Sequence, residues 1–287
     1  MGNLIKKELD MYFKSMFAYF FGAVLLMFSG VYIYILNCSM GYAGFEYTLN
    51  NMSFMYLILI PILTMRSVAE ERKQRTDQLL YSLPVSMTDV VLSKYIAMLI
   101  TLGLPLLVIC FYPPVLLRFG DISLKSAYIT IAAFYLLGAA LTAIGLFAST
   151  LTENQAIAAG ISFVVFLFAY FGSGLTERIP GTASASLIAL IVLCFVAALV
   201  FFIFTRQALT AAELFICAVC ILAVTYRFHR RVFEGLFANI VGSLSLFERF
   251  YVFVRGVLDL RSVVYYISVI VLFLFLSVQS LEKRRWS

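Results

Sequence analysis

The sequence predicts an all-α membrane protein, built as a bundle of helices that cross a lipid bilayer. Of its 287 residues, 63% are hydrophobic and only 13% are charged, and the mean hydropathy is +1.00. Soluble domains average about 45–50% apolar and about 25% charged residues, so this chain has too few charges to cover its surface in water. Its apolar residues fall in runs close to the roughly 20 residues that a membrane-spanning helix needs. We therefore read the net charge of +6 as a sign of membrane topology, and we expect no nucleic-acid partner.

The first element, residues 1–16, is predicted to be a helix that lies in the plane of the cytoplasmic membrane surface. Leu9 and Tyr12 belong to an apolar stripe, and Lys6 and Asp10 belong to the polar face. Such an amphipathic pattern is typical of interfacial helices.

Eight apolar runs follow and are interpreted as the spans of a single transmembrane domain, 1–287. The runs are 17–37, 53–68, 90–117, 126–150, 156–174, 184–205, 211–226 and 262–281. Placing the N-terminus inside puts twelve of the 21 basic residues, and both termini, on the cytoplasmic side. The seventh run is short and begins with Glu213. Either it spans and leaves the basic residues Arg227 to Arg231 outside, or it does not cross.

The loop at 69–87, between the second and third spans, is the most informative polar segment. It is dense in charge and then turns amphipathic. Asp77 can cap a short helix with Leu79, Leu80 and Leu83 on one face, which Pro84 ends. A short helix held by two spans fits a groove on a cytosolic partner, whose rotation would then move both spans. The alternative is a solvated loop that serves only as a positive-inside anchor.

Residues 232–261 are apolar but carry too many charges to span comfortably. Phe247, Phe250 and Tyr251 recur at helical spacing, with Arg255 one turn later. This pattern predicts an interfacial or re-entrant helix in the outer leaflet, whose residues are candidate contacts for an external partner. An ordinary loop helix packed on the bundle is the alternative.

Small residues in the fifth run mark a possible packing face. Ala156, Ala159 and Gly160 would let helices approach closely in lipid, either in a dimer, along a pathway or within one protomer.

Catalytic and cofactor motifs are missing from the sequence. It has one histidine, and none of its 16 glycines is followed by Lys-Ser or Lys-Thr, so no P-loop for ATP is present. Five cysteines in mostly apolar runs fit no disulfide framework or metal site. The spans lack central carboxylates, which argues against a secondary carrier. Powered transport would therefore depend on another polypeptide.

The stretch EERKQRTDQLLYSLPVSMTDVVLSKY at 70–95 resembles the coupling region of permeases of the type-2 ABC transporter family. The family pattern runs acidic-acidic-Arg, Gly-Thr, Glu-x-Leu-Leu and Pro-Val-Ser, with a basic residue, here Lys94, opening the next span. Arg75 stands in place of the usual Gly, and Gln78 in place of the usual Glu. The turn at 149–155 and the C-terminal stretch from 246 resemble the gliding-motility-type branch.

The resemblance implies a permease subunit in a bacterial plasma (inner) membrane. It would form half of an exporter and pair with a second permease copy or a homologue. Cytosolic ABC ATP-binding subunits would carry ATP and Mg²⁺ and dock on the loop. An auxiliary membrane protein with a large ectodomain is also implied. A non-transporting scaffold of a surface complex is the alternative, and a secondary carrier is a weaker one. The residues implied in docking are Glu71, Arg72, Thr76, Asp77, Gln78, Leu79, Leu80, Tyr81, Leu83 and Pro84.

Overall fold

The regular structure of the chain is helical throughout its described part, in which no strand occurs. The computed structural model describes residues 2–41, 44–76, 86–118, 122–178, 182–184, 186–192, 194, 198, 208–228, 233, 242 and 245–285. The predicted all-α class is confirmed. The chain divides into two compact units, Met1–Phe168 with Leu246–Ser287, and Ala169–Ser245.

The helices differ widely in length. Two of them, α2 and α3, continue into a segment of π-helix and a 3-10 turn respectively. A π-helical segment, Ile33–Ser39, extends α2, and a 3-10 turn, Ser53–Met55, joins α3 to α4. The helices are α1 (Gly2–Lys14), α2 (Phe17–Tyr32), α3 (Phe45–Met52), α4 (Tyr56–Thr64), α5 (Ala69–Lys73), α6 (Met87–Ile109), α7 (Tyr112–Leu116), α8 (Leu124–Leu151), α9 (Gln155–Arg178), α10 (Ala208–Phe228), α11 (Leu246–Val254) and α12 (Leu260–Arg285).

Six stretches of the described residues are long and apolar enough to cross a membrane. They correspond to the first five predicted spans and the last one. The seventh predicted span, 211–226, coincides with α10, and much of the sixth, 184–205, lies outside the described residues. The total of eight stays a prediction. The six stretches are Phe17–Ser39, Phe45–Lys73, Met87–Leu116, Leu124–Leu151, Gln155–Gly172 and Leu260–Arg284.

The centre of the first unit is α8, which packs against α4, α6, α11 and α12. Two glycines allow the close approach of α4. A Cβ atom at Gly138 would lie 3.2 Å from the Tyr56 ring, and one at Gly145 would lie 2.9 Å from Thr64 Cβ. Small residues let neighbouring backbones approach each other where lipid provides no hydrophobic driving force. The sequence of α8 therefore determines how closely the second span packs on it.

At the far end of this unit, α11 packs against α3 and α8. The Phe250 ring lies 5.8 Å from that of Phe134, which stacks on Tyr56 at 4.2 Å. The Tyr266 hydroxyl donates to the Leu246 carbonyl at 2.7 Å. A helix predicted within 232–261 is thus present over Leu246–Val254, where it packs on the bundle, and its interfacial or re-entrant role stays a prediction.

The second unit has its own small apolar cluster. Ala183, Leu190 and Phe233 are buried in it, and Tyr226 packs against them with its ring 5.5 Å from that of Phe233. The Ser245 hydroxyl donates to the Ala169 carbonyl at 3.3 Å, which ties together the two ends of this unit.

Candidate functional site

The predicted N-terminal helix forms over Gly2–Lys14, packs mainly against α6 and α2, and reaches the second span through Tyr12. Its Tyr12 is 3% exposed, and the Tyr12 hydroxyl donates to the Leu63 carbonyl at 3.4 Å. Burial, and secondarily the nearby Glu8 carboxylate, raises the pKa of Tyr12. The chain then turns sharply into α2 through Met16, which has a left-handed φ of 58°. The helix is confirmed, and its position in the membrane plane stays a prediction.

The base of the loop is attached to the end of α8 by one hydroxyl. Ser149 Oγ accepts from the backbone N–H groups of Val68 and Ala69, both at 3.1 Å, and donates to the Met65 carbonyl at 3.4 Å. These amides lie where the second span ends and α5 begins, so they lack the usual intrahelical partners. Ser149 supplies the missing acceptor and fixes the start of the loop.

Arg72 makes a second attachment to the same helix end. Its side chain is 4% exposed, and Nη1 donates to the Thr150 carbonyl oxygen. The Ser280 hydroxyl of α12 donates to that oxygen as well, at 3.4 Å. Arg72, a predicted docking residue, therefore faces the bundle. It joins α5 to the end of α8, where α12 also donates a hydrogen bond.

A buried ion cluster joins the loop to the third span and to the N-terminal helix. Lys94 in α6 is 1% exposed, and its Nζ lies 3.0 Å from Glu8 Oε1 and 2.9 Å from Glu71 Oε1. A buried charge is stable only when it is paired, and Lys94 is paired from two sides. Glu8, Lys94 and Arg72 are buried, and Glu71 keeps 16% of its side chain exposed.

The remaining predicted docking residues lie further along the loop. Thr76 is exposed, and its hydroxyl donates to the Glu71 carbonyl at 3.2 Å. The short helix predicted at 77–83 falls outside the described residues. So do its members Asp77, Gln78, Leu79, Leu80, Tyr81, Leu83 and Pro84.

Local backbone geometry explains two features of the loop motif. Arg75 has a φ of 56°, in the left-handed region that glycine adopts at no steric cost, so the usual glycine of the pattern suits this position. At the other end of the loop, Ser86 caps α6. Its hydroxyl accepts from the Asp89 N–H at 3.1 Å and donates to the Asp89 carboxylate at 2.7 Å.

Sequence reasoning missed Glu8 and Ser149 as members of this site. The available signal was Lys94, which lies inside an apolar run and therefore needs a negative partner. The sequence does not say which carboxylates fill that role. Glu8 looked like one more charge on an amphipathic helix, and it lies 86 residues from Lys94.

The predicted packing residues of α9 lie on its less covered side. Ala156 and Gly160 are exposed and Ala159 is half-buried, and a Cβ atom at Gly160 would meet nothing within 4 Å. These positions are open within a single chain.

The predicted external contact residues divide between two environments. Phe247 and Phe250 are buried in the bundle, so this conformation does not offer them to a partner. Tyr251 is 40% exposed, and the exposed Arg255 places its guanidinium 4.8 Å from the centre of the Tyr251 ring. Of the four predicted contact residues, only Tyr251 and Arg255 are therefore accessible to an external partner.

The ion cluster and the chain termini occupy the same end of the first unit. Arg284, near the C-terminus, lies 3.3 Å from Glu153 just beyond the end of α8. The described residues contain no cluster of three or more His, Cys, Asp or Glu side chains that could hold a metal ion. The chemistry of this site is mechanical attachment through ion pairs and hydrogen bonds.

Residues 5–183 match the family model described as ABC-2 family transporter protein. The chain belongs to this family. The match covers more than half of the chain and includes α1, the loop and the end of α8. The resemblance to type-2 ABC permeases is confirmed, and the protein is a multi-pass permease component of an ABC transporter.

Permeases of this family generally act with cytosolic ATP-binding subunits and are generally not catalytic themselves. The search of curated proteins found no match. The matched residues end before the C-terminal stretch from 246, so the gliding-motility-type branch stays a prediction.

Proposed function

We propose that this permease couples ATP hydrolysis by separate cytosolic subunits to the export of a substrate across the plasma membrane. ATP and Mg²⁺ bind to those subunits, which dock on the loop at 69–87. The observation that carries the proposal is the attachment of the loop base to α1, α6, α8 and α12 through Lys94, Ser149 and Arg72.

The energetics of these attachments favour movement of the loop together with the second and third spans as one unit. Removing one partner from a buried ion pair costs about 3–5 kcal/mol. Lys94 makes two such pairs, and Glu71, one of its partners, belongs to the loop itself. A force applied to residues 77–85 therefore meets a stiff base and passes to the second and third spans together. Packed helices respond to such a force by rigid-body motion rather than by continuous bending.

The proposed orientation places α1, the loop and both termini in or at the cytoplasm. Lys6, Lys73 and Lys14 are exposed at this end, in line with the tendency of lysine and arginine to remain on the cytoplasmic side. The opposite end, with α11, then faces outward. There the Tyr251 and Arg255 surface is the proposed contact for an auxiliary subunit with a large ectodomain.

We also propose that two permeases pair in the working complex, with the open face of α9 at Ala156, Ala159 and Gly160 as the packing face. The exposure of this face in one chain supports the proposal. Small residues permit close helix contact between protomers in lipid.

The docking role of the loop can be tested by replacing Leu79, Leu80 and Leu83 together with Asp. Charging this apolar face should abolish co-purification with the ATP-binding subunit encoded beside the permease, while the permease remains inserted in the membrane. The matched control is Tyr251→Asp at the opposite end, which should retain the subunit. If the triple variant inserts normally and still co-purifies, the loop is not the docking element.

A further inference from the structure

A cavity of about 380 Å³ lies at the end of the first unit that carries the ion cluster. Lys7 and Met11 of α1 line one side, and Ser15 and Phe17 line the turn into α2. Arg66 and Glu70, where the second span passes into α5, line the opposite side. The chain turns between α1 and α2 beside this cavity, through Met16 with its left-handed φ of 58°.

The cavity lies beside the start of the first membrane-spanning stretch, since Phe17 lines it. Phe17 is the first residue of the first span. The Arg66 guanidinium lies over its ring, 4.8 Å from the ring centre. Just beyond the cavity, Met16 and Tyr19 are 78% and 62% exposed, as expected for side chains that face lipid. A cavity at this depth opens among phospholipid headgroups.

The charged residues that line the cavity are of both signs. Lys7 and Arg66 are basic, and Glu70 and Glu71 are acidic, with Glu71 already paired with Lys94 at 2.9 Å. Lys7 is exposed and contributes an ammonium group. Arg66 lies 3.0 Å from the Glu70 carboxylate, and both side chains are partly exposed, at 32% and 24%. The guanidinium has five N–H donors, so the bond to Glu70 leaves others for a phosphate. A carboxylate oxygen of Glu70 can in turn accept from an ammonium group.

We propose that this cavity binds the headgroup of phosphatidylethanolamine. Lys7 and Arg66 hold its phosphate, and Glu70 accepts from its primary ammonium group. The acyl chains run along Phe17 into the bilayer. This headgroup carries both a phosphate and an ammonium group that can donate hydrogen bonds. It therefore matches a site that contains both basic and acidic side chains. A phosphatidylcholine headgroup has no N–H to donate to Glu70, so it is a poorer ligand.

Native mass spectrometry of the purified, delipidated full chain tests this proposal without any ATP-binding subunit. Phosphatidylethanolamine, phosphatidylcholine and phosphatidylglycerol are added separately, together with water-soluble glycerophosphoethanolamine as the headgroup without acyl chains. We expect phosphatidylethanolamine to bind most tightly. We also expect Lys7→Glu to weaken its binding by roughly tenfold, the factor expected for a loss of about 1.4 kcal/mol.

The matched control is Lys6→Glu, because Lys6 is the neighbouring exposed lysine and does not line the cavity. This variant should bind phosphatidylethanolamine as the unmodified chain does. Glu70→Gln should remove the preference for phosphatidylethanolamine over phosphatidylcholine. Lipid binding that is equal for all headgroups, or equally weakened by both lysine variants, overturns the proposal.

Two further outcomes identify other occupants. If glycerophosphoethanolamine binds as tightly as the diacyl lipid, the site takes a soluble phosphate compound and the lipid assignment is wrong. If Lys7→Glu leaves lipid binding unchanged and instead weakens co-purification of the ATP-binding subunit, the cavity is a protein docking site. Because the lipid measurement needs only the permease, its failure leaves the proposed coupling function untouched.

Discussion

Replacing Lys94 with methionine removes the cation that Glu8 and Glu71 both bind, while it keeps a side chain of similar length. The two carboxylates differ in what they can do next. Glu71 retains 16% of its side-chain surface exposed and can turn toward water, whereas Glu8 has only 3% exposed. Glu8 must therefore stay buried without its partner, take up a proton, or leave with α1.

The cost follows from the burial of Lys94 and Glu8, whose side chains are 1% and 3% exposed. Breaking a buried ion pair by removing one partner costs about 3–5 kcal/mol. We therefore expect Lys94→Met to lower the free energy of unfolding by about 3–5 kcal/mol.

The measurement is unfolding of the detergent-purified permease by sodium dodecyl sulfate, followed by far-ultraviolet circular dichroism. Adding Glu8→Gln to Lys94→Met should restore most of the loss, because the stranded buried charge is gone. Lys14→Met is the control, since Lys14 pairs with Asp10 on an exposed surface and should show no measurable change. If Lys94→Met unfolds at the same detergent fraction as the unmodified protein, the ion cluster does not secure the loop.

Three further substitutions test the packing of the helices. Gly145→Ala should destabilise the protein by about 1–3 kcal/mol, because the added methyl group would clash with Thr64. Adding Thr64→Ala should restore the lost stability in the same unfolding assay. If Gly145→Ala is neutral, α4 and α8 are not in close contact. Ser149→Ala leaves two backbone amides at the loop base without an acceptor, at about 1–3 kcal/mol, and should speed amide hydrogen exchange there; unchanged exchange would contradict the assigned bonds. Ala159→Glu should convert the proposed permease dimer to a monomer in light scattering, and an unchanged mass would exclude that face.

The family of this protein could be recognised from the loop motif alone, but the role of individual residues in the motif could not. Glu71 and Arg72 were predicted to meet a cytosolic partner, and that role stays a prediction. The structure adds that Glu71 pairs with Lys94 and that Arg72 donates to the Thr150 carbonyl. In α11 the periodic pattern predicted a helix correctly. It did not show that Phe250 is fully buried while its neighbour Tyr251 is 40% exposed, because both faces of that helix carry aromatic residues.

The sequence by itself determined the class of this protein, an all-helical membrane bundle, because that outcome depends on local composition. Backbone groups in lipid must satisfy their own hydrogen bonds, so an apolar run of sufficient length becomes a helix whatever its neighbours are. The tertiary structure alone decided which acids neutralise Lys94 and which hydroxyl holds the loop base. Glu8 lies 86 residues from Lys94 along the chain, and Ser149 lies 81 residues from Val68, whose N–H donates to it. Only the packing of helices brings such distant groups within hydrogen-bonding distance.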